Sequence, residues 1–248
     1  MHKYSHKHLR DILIDNSIIP QSCRETKLAL TLVTQKEKFI LEDSAKAIVN
    51  NKKIVPINGQ YGLKQYLNEI QNITNQYYLL YIQISQFETF LRTFINHKMI
   101  KTYGDKWHRC DIMMDINEFR KDAIRSLDKP SQALNSITLG TLELIFFNGS
   151  RYINVFEKHI KQNKILSKQN KPKYSNKKEI KTLFSIVRNA RNDICHHRRI
   201  GDSIKSNPKY KKQKITKSEV FKTLEDLKTL LGYSNIFDVK SIDLNYVI

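Results

Sequence analysis

The chain has 248 residues, of which 40% are hydrophobic and 10% aromatic, so its composition supports a packed core and excludes wholesale disorder. Its 7 Gly and 5 Pro are too few for a turn-rich all-β sandwich, and they favour a mostly helical fold. The formal net charge of +19 predicts a polyanionic partner, either a nucleic acid or an anionic membrane surface.

Two further features of the composition favour nucleic acid over the membrane. No stretch approaches the roughly 18–20 consecutive apolar residues of a membrane span, and residues 1–7 do not lead into an apolar signal-peptide core. We therefore expect a cytoplasmic protein without membrane contact. The three cysteines, Cys23, Cys110 and Cys195, lie far apart without a Cys-x-x-Cys pair, which predicts reduced thiols and neither a disulfide framework nor a structural zinc site.

The first 60 residues predict an additional N-terminal helical lobe. Helical spacing of apolar residues is present at residues 7–16 and 28–50. An irregular segment at residues 53–62, which contains Pro56 and Gly59, separates this lobe from the remainder. Residues 61–248 are then the predicted main domain.

Apolar residues at three- and four-residue spacing predict a helical bundle for residues 61–248, and thus an all-α fold. The clearest helix covers residues 77–100 and ends at Gly104, a typical C-cap residue. Within it, Glu88 and Arg92 lie four residues apart on one face and can form an ion pair. Further helices are predicted at residues 117–127, 131–147, 153–160, 178–197 and, with Ser218 as N-cap, from residue 216 onward.

Most of the positive charge lies in about a quarter of the chain. Between residues 158 and 217, 15 Lys and 4 Arg accompany three acidic residues, a net charge of +16. Lysine runs are usually solvated loops, but the stretches at residues 161–181 and 205–217 lie on both sides of a segment dense in Arg, Asn and His. That arrangement favours a phosphate-binding surface, with one tyrosine in each stretch for base stacking. The predicted RNA-binding residues are Lys171, Lys173, Tyr174, Lys177, Lys178, Arg198, Arg199, Lys209, Tyr210, Lys211 and Lys212.

The segment at residues 185–199 carries the candidate chemistry. On a helix, Arg188, Asn192 and His196 share one face because they lie four residues apart. Arg191 lies about 100° from Asn192 around the helix, and its long side chain can reach over the same face. A polar strip on an otherwise core-facing helix is costly to bury without partners. It is therefore expected to lie in a groove, at an oligomer interface, or both.

These residue types suit RNA cleavage without a metal ion or other cofactor. The 2′-hydroxyl of RNA is the nucleophile, histidine exchanges protons near neutral pH, and arginine grips phosphate oxygens bidentately. An asparagine on the same face can orient the imidazole or a phosphate oxygen. The predicted catalytic residues are Arg191, Asn192 and His196, and the predicted supporting residues are Arg188, His197, Glu88 and Arg92.

Two other interpretations of the segment are weaker. Histidine is a common metal ligand, but the adjacent His196 and His197 on a helix point in different directions. Asp193 is the one carboxylate nearby, and the surrounding positive charge opposes a cation. Cys195 as a nucleophile lacks a convincing base, so a packed thiol is the simpler interpretation.

The string Arg191-Asn192-x-x-x-His196 resembles the Arg…His motif of HEPN domains in its Arg-Asn form, and residues 187–198 resemble the Abi-like (AbiD/AbiF) abortive-infection family. Residues 87–93, leading to the Tyr-Gly-Asp-Lys-Trp string at 103–107, and residues 139–143 are similar to further stretches of that family, in the same order. The resemblance covers roughly residues 75–200. After Arg199, the string Ile-Gly-Asp stands where the family often has an aromatic residue and Asn.

This resemblance implies an all-α HEPN bundle that forms a homodimer with the two motifs facing each other. His196 and Arg191 of both protomers would then form a composite site that cleaves RNA. The family further implies phage defence by abortive infection, control by an associated RNA, and kinship with the HEPN nuclease domains of type VI CRISPR effectors. Two alternatives stay open: a non-catalytic RNA-binding protein, and a HEPN partner of a nucleotidyltransferase in a toxin–antitoxin pair, which the lysine-rich stretches fit less well.

Overall fold

The computed structural model describes residues 6–19, 38–109, 125–148, 152–167, 169–202 and 215–233, and these are mostly helical, as an all-α chain requires. The α-helices are α1 (His6–Asp15), α2 (Lys38–Asn50), α3 (Leu63–Tyr103), α4 (Pro130–Asn135), α5 (Leu139–Phe147), α6 (Lys158–Gln162), α7 (Lys177–Cys195) and α8 (Lys217–Leu230). A 3-10 turn follows α3 at Trp107–Arg109, and a π-helix at Tyr152–Glu157 leads into α6. Two-residue strands, β1 (Ile18–Ile19) and β2 (Tyr61–Gly62), pair in parallel.

Helix α3 is the central element, and the bundle packs along it. It contains 41 residues, about 60 Å at 1.5 Å per residue, and it contacts α2, α4, α5, α7 and α8. It begins 14 residues earlier than its apolar spacing at residues 77–100 predicted, because Leu63, Tyr66 and Ile70 continue the buried stripe toward its start. Its end agrees with the prediction, since Gly104 has φ 82° and donates its N–H to the Ile100 carbonyl at 2.8 Å.

Helix α2 packs against the first half of α3. It buries Ile40, Leu41, Ala45 and Ile48, and the hydroxyl of Tyr66 donates to the Leu41 carbonyl at 3.1 Å. The parallel ladder between β1 and β2 adds a second tie between the N-terminal segment and the start of α3. The division of the chain at residue 60 stays a prediction.

The predictions for α4, α5 and α8 need correction. One continuous helix over residues 131–147 was wrong, because the chain leaves α4 at Ser136 and re-enters a helix after Thr138, whose hydroxyl accepts the Thr141 N–H at 3.3 Å. The N-cap of α8 is Thr216 and not Ser218, since the Thr216 hydroxyl accepts the Glu219 N–H at 3.2 Å. Most of the predicted helix at residues 117–127 lies outside the described residues.

An aromatic core fixes α7 against its neighbours. Phe184 of α7 packs on Phe87 of α3, with ring centroids 6.1 Å apart, and on Phe146 of α5, at 5.0 Å. Phe146 in turn stacks on Phe156 at 4.2 Å. Among the described helices, none combines the length and apolarity that a membrane crossing requires. The aromatic packing leaves the opposite side of α7 for polar residues.

Candidate active site

The start of α7 is fixed by local hydrogen bonds. The side chain of Asn176, the N-cap, accepts the Glu179 N–H at 3.0 Å. The Glu179 carboxylate accepts the Ser175 N–H at 2.6 Å, and this hydrogen bond lowers the pKa of Glu179. Ile180, Leu183 and Val187 are buried on one side of the helix. The predicted polar strip therefore lies on a helix whose rotation is set by its core side and whose start is set by its cap.

The end of α7 differs from the prediction of a helix through residue 197. The helix ends at Cys195, and His196 is the C-cap, with its N–H donating to the Asn192 carbonyl at 3.0 Å. His197 has a left-handed backbone with φ 54°, and Arg198 N–H donates to the Asp193 carbonyl at 2.7 Å. This is the Schellman type of helix end, with a histidine where glycine is usual. His196 still lies one turn after Asn192, as the pattern predicted.

Asp193 organises the turn that follows His197, a role that sequence reasoning missed. Its side chain is fully buried, and Oδ2 accepts the Gly201 N–H at 2.8 Å. The next contact is made by Ile200, whose N–H donates to the hydroxyl of Tyr77 at 3.3 Å; burial raises the pKa of Tyr77 to about 12. The sequence did contain a signal, because Asp193 follows the apolar residues Ile186 and Ala190 by seven and three positions, the spacing of one helix face.

Glu88 of α3 links two arginines of the site. As predicted, its carboxylate pairs with Arg92 one turn along α3, and Arg191 of α7 approaches it with Nε 3.9 Å from Oε2. Arg92 also donates to the carbonyls of Leu134 and, at 2.9 Å, Ile137, in the turn between α4 and α5. Arg191 thus lies beside a half-buried carboxylate whose nearer partner, Arg92, is hydrogen-bonded to the turn between α4 and α5.

Glu143 of α5 pairs with Arg188, one turn before Arg191 on α7. Its side chain is buried, and Oε2 lies 2.7 Å from Arg188 Nη1 while Oε1 accepts the Ser185 hydroxyl at 3.3 Å. Burial raises the pKa of the Glu143 carboxyl, and the charge of Arg188 opposes that rise. From sequence alone, Glu143 was only part of a family resemblance, and its role as the partner of Arg188 was missed.

Asn192 and His196 present a different environment. The Asn192 side chain is half-buried and the His196 side chain is exposed. Within the described part of the chain, neither side chain has a hydrogen bond or ion pair. His197 is also exposed, at the other side of the left-handed turn. The imidazole of His196 is therefore accessible to a substrate.

Among the predicted RNA-binding residues between positions 171 and 178, two contact another helix of the protein. Lys173 Nζ lies 2.5 Å from Asp226 Oδ2, and the hydroxyl of Tyr174 donates to the same oxygen, so both hold the lysine-rich segment onto α8. Burial and this hydrogen bond raise the pKa of Tyr174. Lys171 and Lys178 are exposed, and Lys177 is half-buried.

Of the two described RNA-binding candidates after α7, one is paired within the protein and the other is exposed. Arg199 pairs with Asp43 Oδ1 at 2.9 Å and Glu42 Oε2 at 3.2 Å, both on α2, whereas Arg198 is exposed. The remaining four, Lys209, Tyr210, Lys211 and Lys212, lie outside the described residues. RNA contact by this whole set stays a prediction.

The site thus gathers two guanidinium groups, an amide and an imidazole along one helix and its C-cap. Guanidinium groups bind phosphate oxygens and imidazole exchanges protons near neutral pH, so the arrangement suits chemistry at a phosphodiester. No three His, Cys, Asp or Glu side chains of the described segments lie close enough together to hold a metal ion. Compared with protein-family models, curated proteins and solved structures, the chain has no match.

Proposed function

We propose that this protein is an endoribonuclease that cleaves RNA without a metal ion, with Arg191, Asn192 and His196 at its active site. The observation that carries the proposal is that one helix and its C-cap present both an exposed histidine and two arginines that lie beside carboxylates of other helices. Glu143 holds Arg188 at 2.7 Å and Glu88 lies 3.9 Å from Arg191, while His196 lacks such a partner among the described residues. The clustered positive charge of residues 158–217 supports a polyanionic substrate.

The reaction follows from these groups and from the substrate's own 2′-hydroxyl. A general base removes the 2′-hydroxyl proton, and the 2′-oxygen forms a bond to phosphorus while the bond from phosphorus to the 5′-oxygen breaks. The leaving 5′-oxygen takes up a proton, which gives a 2′,3′-cyclic phosphate and a 5′-hydroxyl. Arg191 stabilises the negative charge of the phosphorane, His196 transfers a proton, and Asn192 orients the imidazole or a phosphate oxygen.

The proposal includes a HEPN-type bundle acting as a homodimer. The resemblance of residues 187–198 to the Abi-like family supports this assignment, and so does the all-α fold. A partner's copy of the motif supplies a second imidazole, so that one histidine acts as base and the other as acid. The same resemblance supports a role in phage defence by abortive infection, under control of an associated RNA.

Cleavage of a labelled single-stranded RNA in EDTA tests the proposal. We expect the wild-type protein to cut the RNA and to leave the DNA oligonucleotide of the same sequence intact, because DNA lacks the nucleophile. His196→Ala and Arg191→Ala are expected to lose at least about 100-fold in rate. Equal activity in all three proteins, or a requirement for added metal, would contradict the proposal.

A non-catalytic RNA-binding protein is the second candidate. The exposed side chains of Lys171, Lys178 and Arg198 favour it, because they offer phosphate contacts without any chemistry. In that case RNA binding weakens steeply with salt, while cleavage in EDTA is absent from wild type and variants alike.

A further inference from the structure

A groove lined by aromatic side chains lies beside the candidate active site. It has a volume of about 520 Å³ and lies between α2, α3 and the turn that follows α7. We call it the aromatic groove, and the lining residues that matter here are Phe39, Tyr77, Tyr78, Tyr81, His197 and Arg198. Its wall at the end of α7 includes Cys195 and His197, the two sequence neighbours of His196.

One wall of the aromatic groove is fixed by contacts within the protein. Tyr77 is buried, its ring centroid is 5.1 Å from that of Phe39, and Lys217 Nζ lies 5.2 Å from the ring centroid. The Tyr77 hydroxyl accepts the Ile200 N–H, which joins this wall to the turn after α7. The groove therefore keeps a constant position relative to the helix end that carries His196.

The other wall offers aromatic surface to solvent. Tyr78 and Tyr81 lie three residues apart on α3, and they are 49% and 41% exposed. Within the described segments, neither makes a hydrogen bond or a ring contact. Two neighbouring tyrosines that are each about half exposed offer aromatic surface to a planar ligand, since stacking requires only a flat π surface.

The charge around the groove selects the kind of ligand. Its lining includes the exposed side chains of His197 and Arg198 and no acidic residue in the described part of the chain. A groove with aromatic rings on its walls and cationic or neutral polar groups at its rim complements a nucleotide, which joins a planar base to an anionic phosphate. A volume near 500 Å³ also lies within the range of small-ligand sites.

We propose that the aromatic groove binds an unpaired nucleobase of the RNA, and that Tyr78 and Tyr81 stack on it. This inference rests on the proposed function, because the base would belong to a nucleotide next to the phosphate at His196. Arg198 at the rim contacts the phosphate of that nucleotide. Recognition through stacking accepts every base, so the groove selects single-stranded RNA over duplex RNA without reading sequence.

An oligodeoxynucleotide that carries one 2-aminopurine tests the inference separately from cleavage. This probe has no 2′-hydroxyl, so the proposed reaction cannot consume it, and its fluorescence is quenched when the base stacks. With the wild-type protein we expect binding with quenching. In the Tyr78→Ala/Tyr81→Ala double variant we expect binding about 5- to 100-fold weaker and quenching lost.

Two matched variants control for general effects. Tyr78→Phe/Tyr81→Phe keeps both rings and should retain wild-type binding and quenching. Val49→Ala, at an exposed apolar residue of α2 outside the groove lining, should also behave as wild type. Thermal denaturation checks the fold of each variant, and the single Tyr78→Ala variant replaces the double one if the latter does not fold.

The inference is overturned if the alanine variants bind and quench like the phenylalanine variants. It is also overturned if the alanine variants change only the sedimentation of the protein, because the groove would then contact a second copy of the chain. Failure of the proposed function has a different signature: wild-type protein leaves RNA uncut in EDTA, while quenching of the DNA probe still depends on Tyr78 and Tyr81.

Discussion

The two parts of the candidate active site differ in how they are held. Along the body of α7, Arg188 and Arg191 lie against the carboxylates of Glu143 and Glu88, which belong to other helices. At the end of the same helix, His196 is exposed and has no such partner among the described residues. Arg188 is therefore positioned before a substrate arrives and Arg191 lies close to a carboxylate, whereas His196, the proposed proton-transfer group, faces solvent.

Residues of one motif can contribute to catalysis in two ways, by stabilising charge and by exchanging protons. A charge that must stabilise a transition state is most effective when its orientation is already fixed, because no reorganisation then accompanies the reaction. An imidazole that exchanges protons with a substrate needs access instead. We therefore expect substitution of Arg188 in the helix body to lower stability, and substitution of the exposed His196 to change activity alone.

The largest expected effect is on catalysis, at the open end of the site. His196→Ala should reduce RNA cleavage by about 100- to 10,000-fold, since it removes a proton-transfer group. Its free energy of unfolding should stay within about 0.5 kcal/mol of wild type, because the side chain is exposed. Cleavage assays and chemical denaturation measure the two quantities. His97→Ala, an exposed histidine of α3, is the matched control; an equal loss of cleavage there would remove the special role of His196.

Along the helix body, Arg188→Ala should destabilise the fold. The substitution leaves the buried Glu143 without its cation, and we expect a loss of about 1–3 kcal/mol at pH 7, less than for a fully buried pair because Arg188 is partly exposed. The measurement is urea denaturation at several pH values.

The pH dependence of this variant has a defined sign. The folded-state pKa of Glu143 is raised by burial, so the folded state holds more protons and stability falls as pH rises from the unfolded-state pKa through the folded-state pKa. Without Arg188, that window extends upward, and the destabilisation should be smaller at pH 5 than at pH 7. The Arg188→Ala/Glu143→Gln variant should lose this pH dependence. An unchanged dependence would show that Glu143 is not the group responsible.

The left-handed turn at the helix end should tolerate glycine better than a branched side chain. His197 has φ 54°, a conformation that L-residues adopt at a cost and that β-branched residues avoid. Relative to His197→Gly, His197→Val should be less stable by about 1–2 kcal/mol in denaturant titrations. Equal stability of the two variants would mean that the turn in solution is not left-handed.

The smallest expected effect concerns the ion pairs between the turn and α2. Arg199→Ala removes contacts with Asp43 and Glu42, and we expect a loss of about 1 kcal/mol, since these groups are only partly buried. Lys38→Ala removes an exposed pair with Glu42 on the same helix and should cost less than about 0.5 kcal/mol. If Arg199 instead serves mainly in RNA binding, its substitution leaves the unfolding free energy unchanged and weakens RNA binding.

Local patterns predicted much of the fold and of the motif helix. The cap at Gly104, the Glu88–Arg92 pair and the succession of Arg188, Asn192 and His196 along one face depend on residues within two turns of each other. Such features are determined by helix geometry and short-range sterics. The prediction of helix through residue 197 was wrong because apolar spacing does not report a left-handed turn.

Contacts between distant residues could not be predicted from the same patterns. Glu143 and Arg188 are 45 positions apart, and only the packing of α5 on α7 brings them together. The two basic residues Arg198 and Arg199 look alike in sequence, yet one is exposed and the other pairs with α2. Lys173 and Tyr174 likewise meet Asp226 through tertiary structure. Counting basic residues therefore does not separate those that stabilise the fold from those that face solvent.

The length of α3 has a consequence for the kinds of sequence change that the protein can accept. Tyr81 in the aromatic groove and Glu88 beside Arg191 lie seven residues apart on this one helix, which is nearly two turns. A single-residue insertion between them would rotate everything beyond it by about 100° and shift it by about 1.5 Å. Substitutions on the exposed face leave this register intact. We therefore expect the helix to tolerate exchange of residues here but not insertion or deletion, with length variation restricted to its ends and to loops.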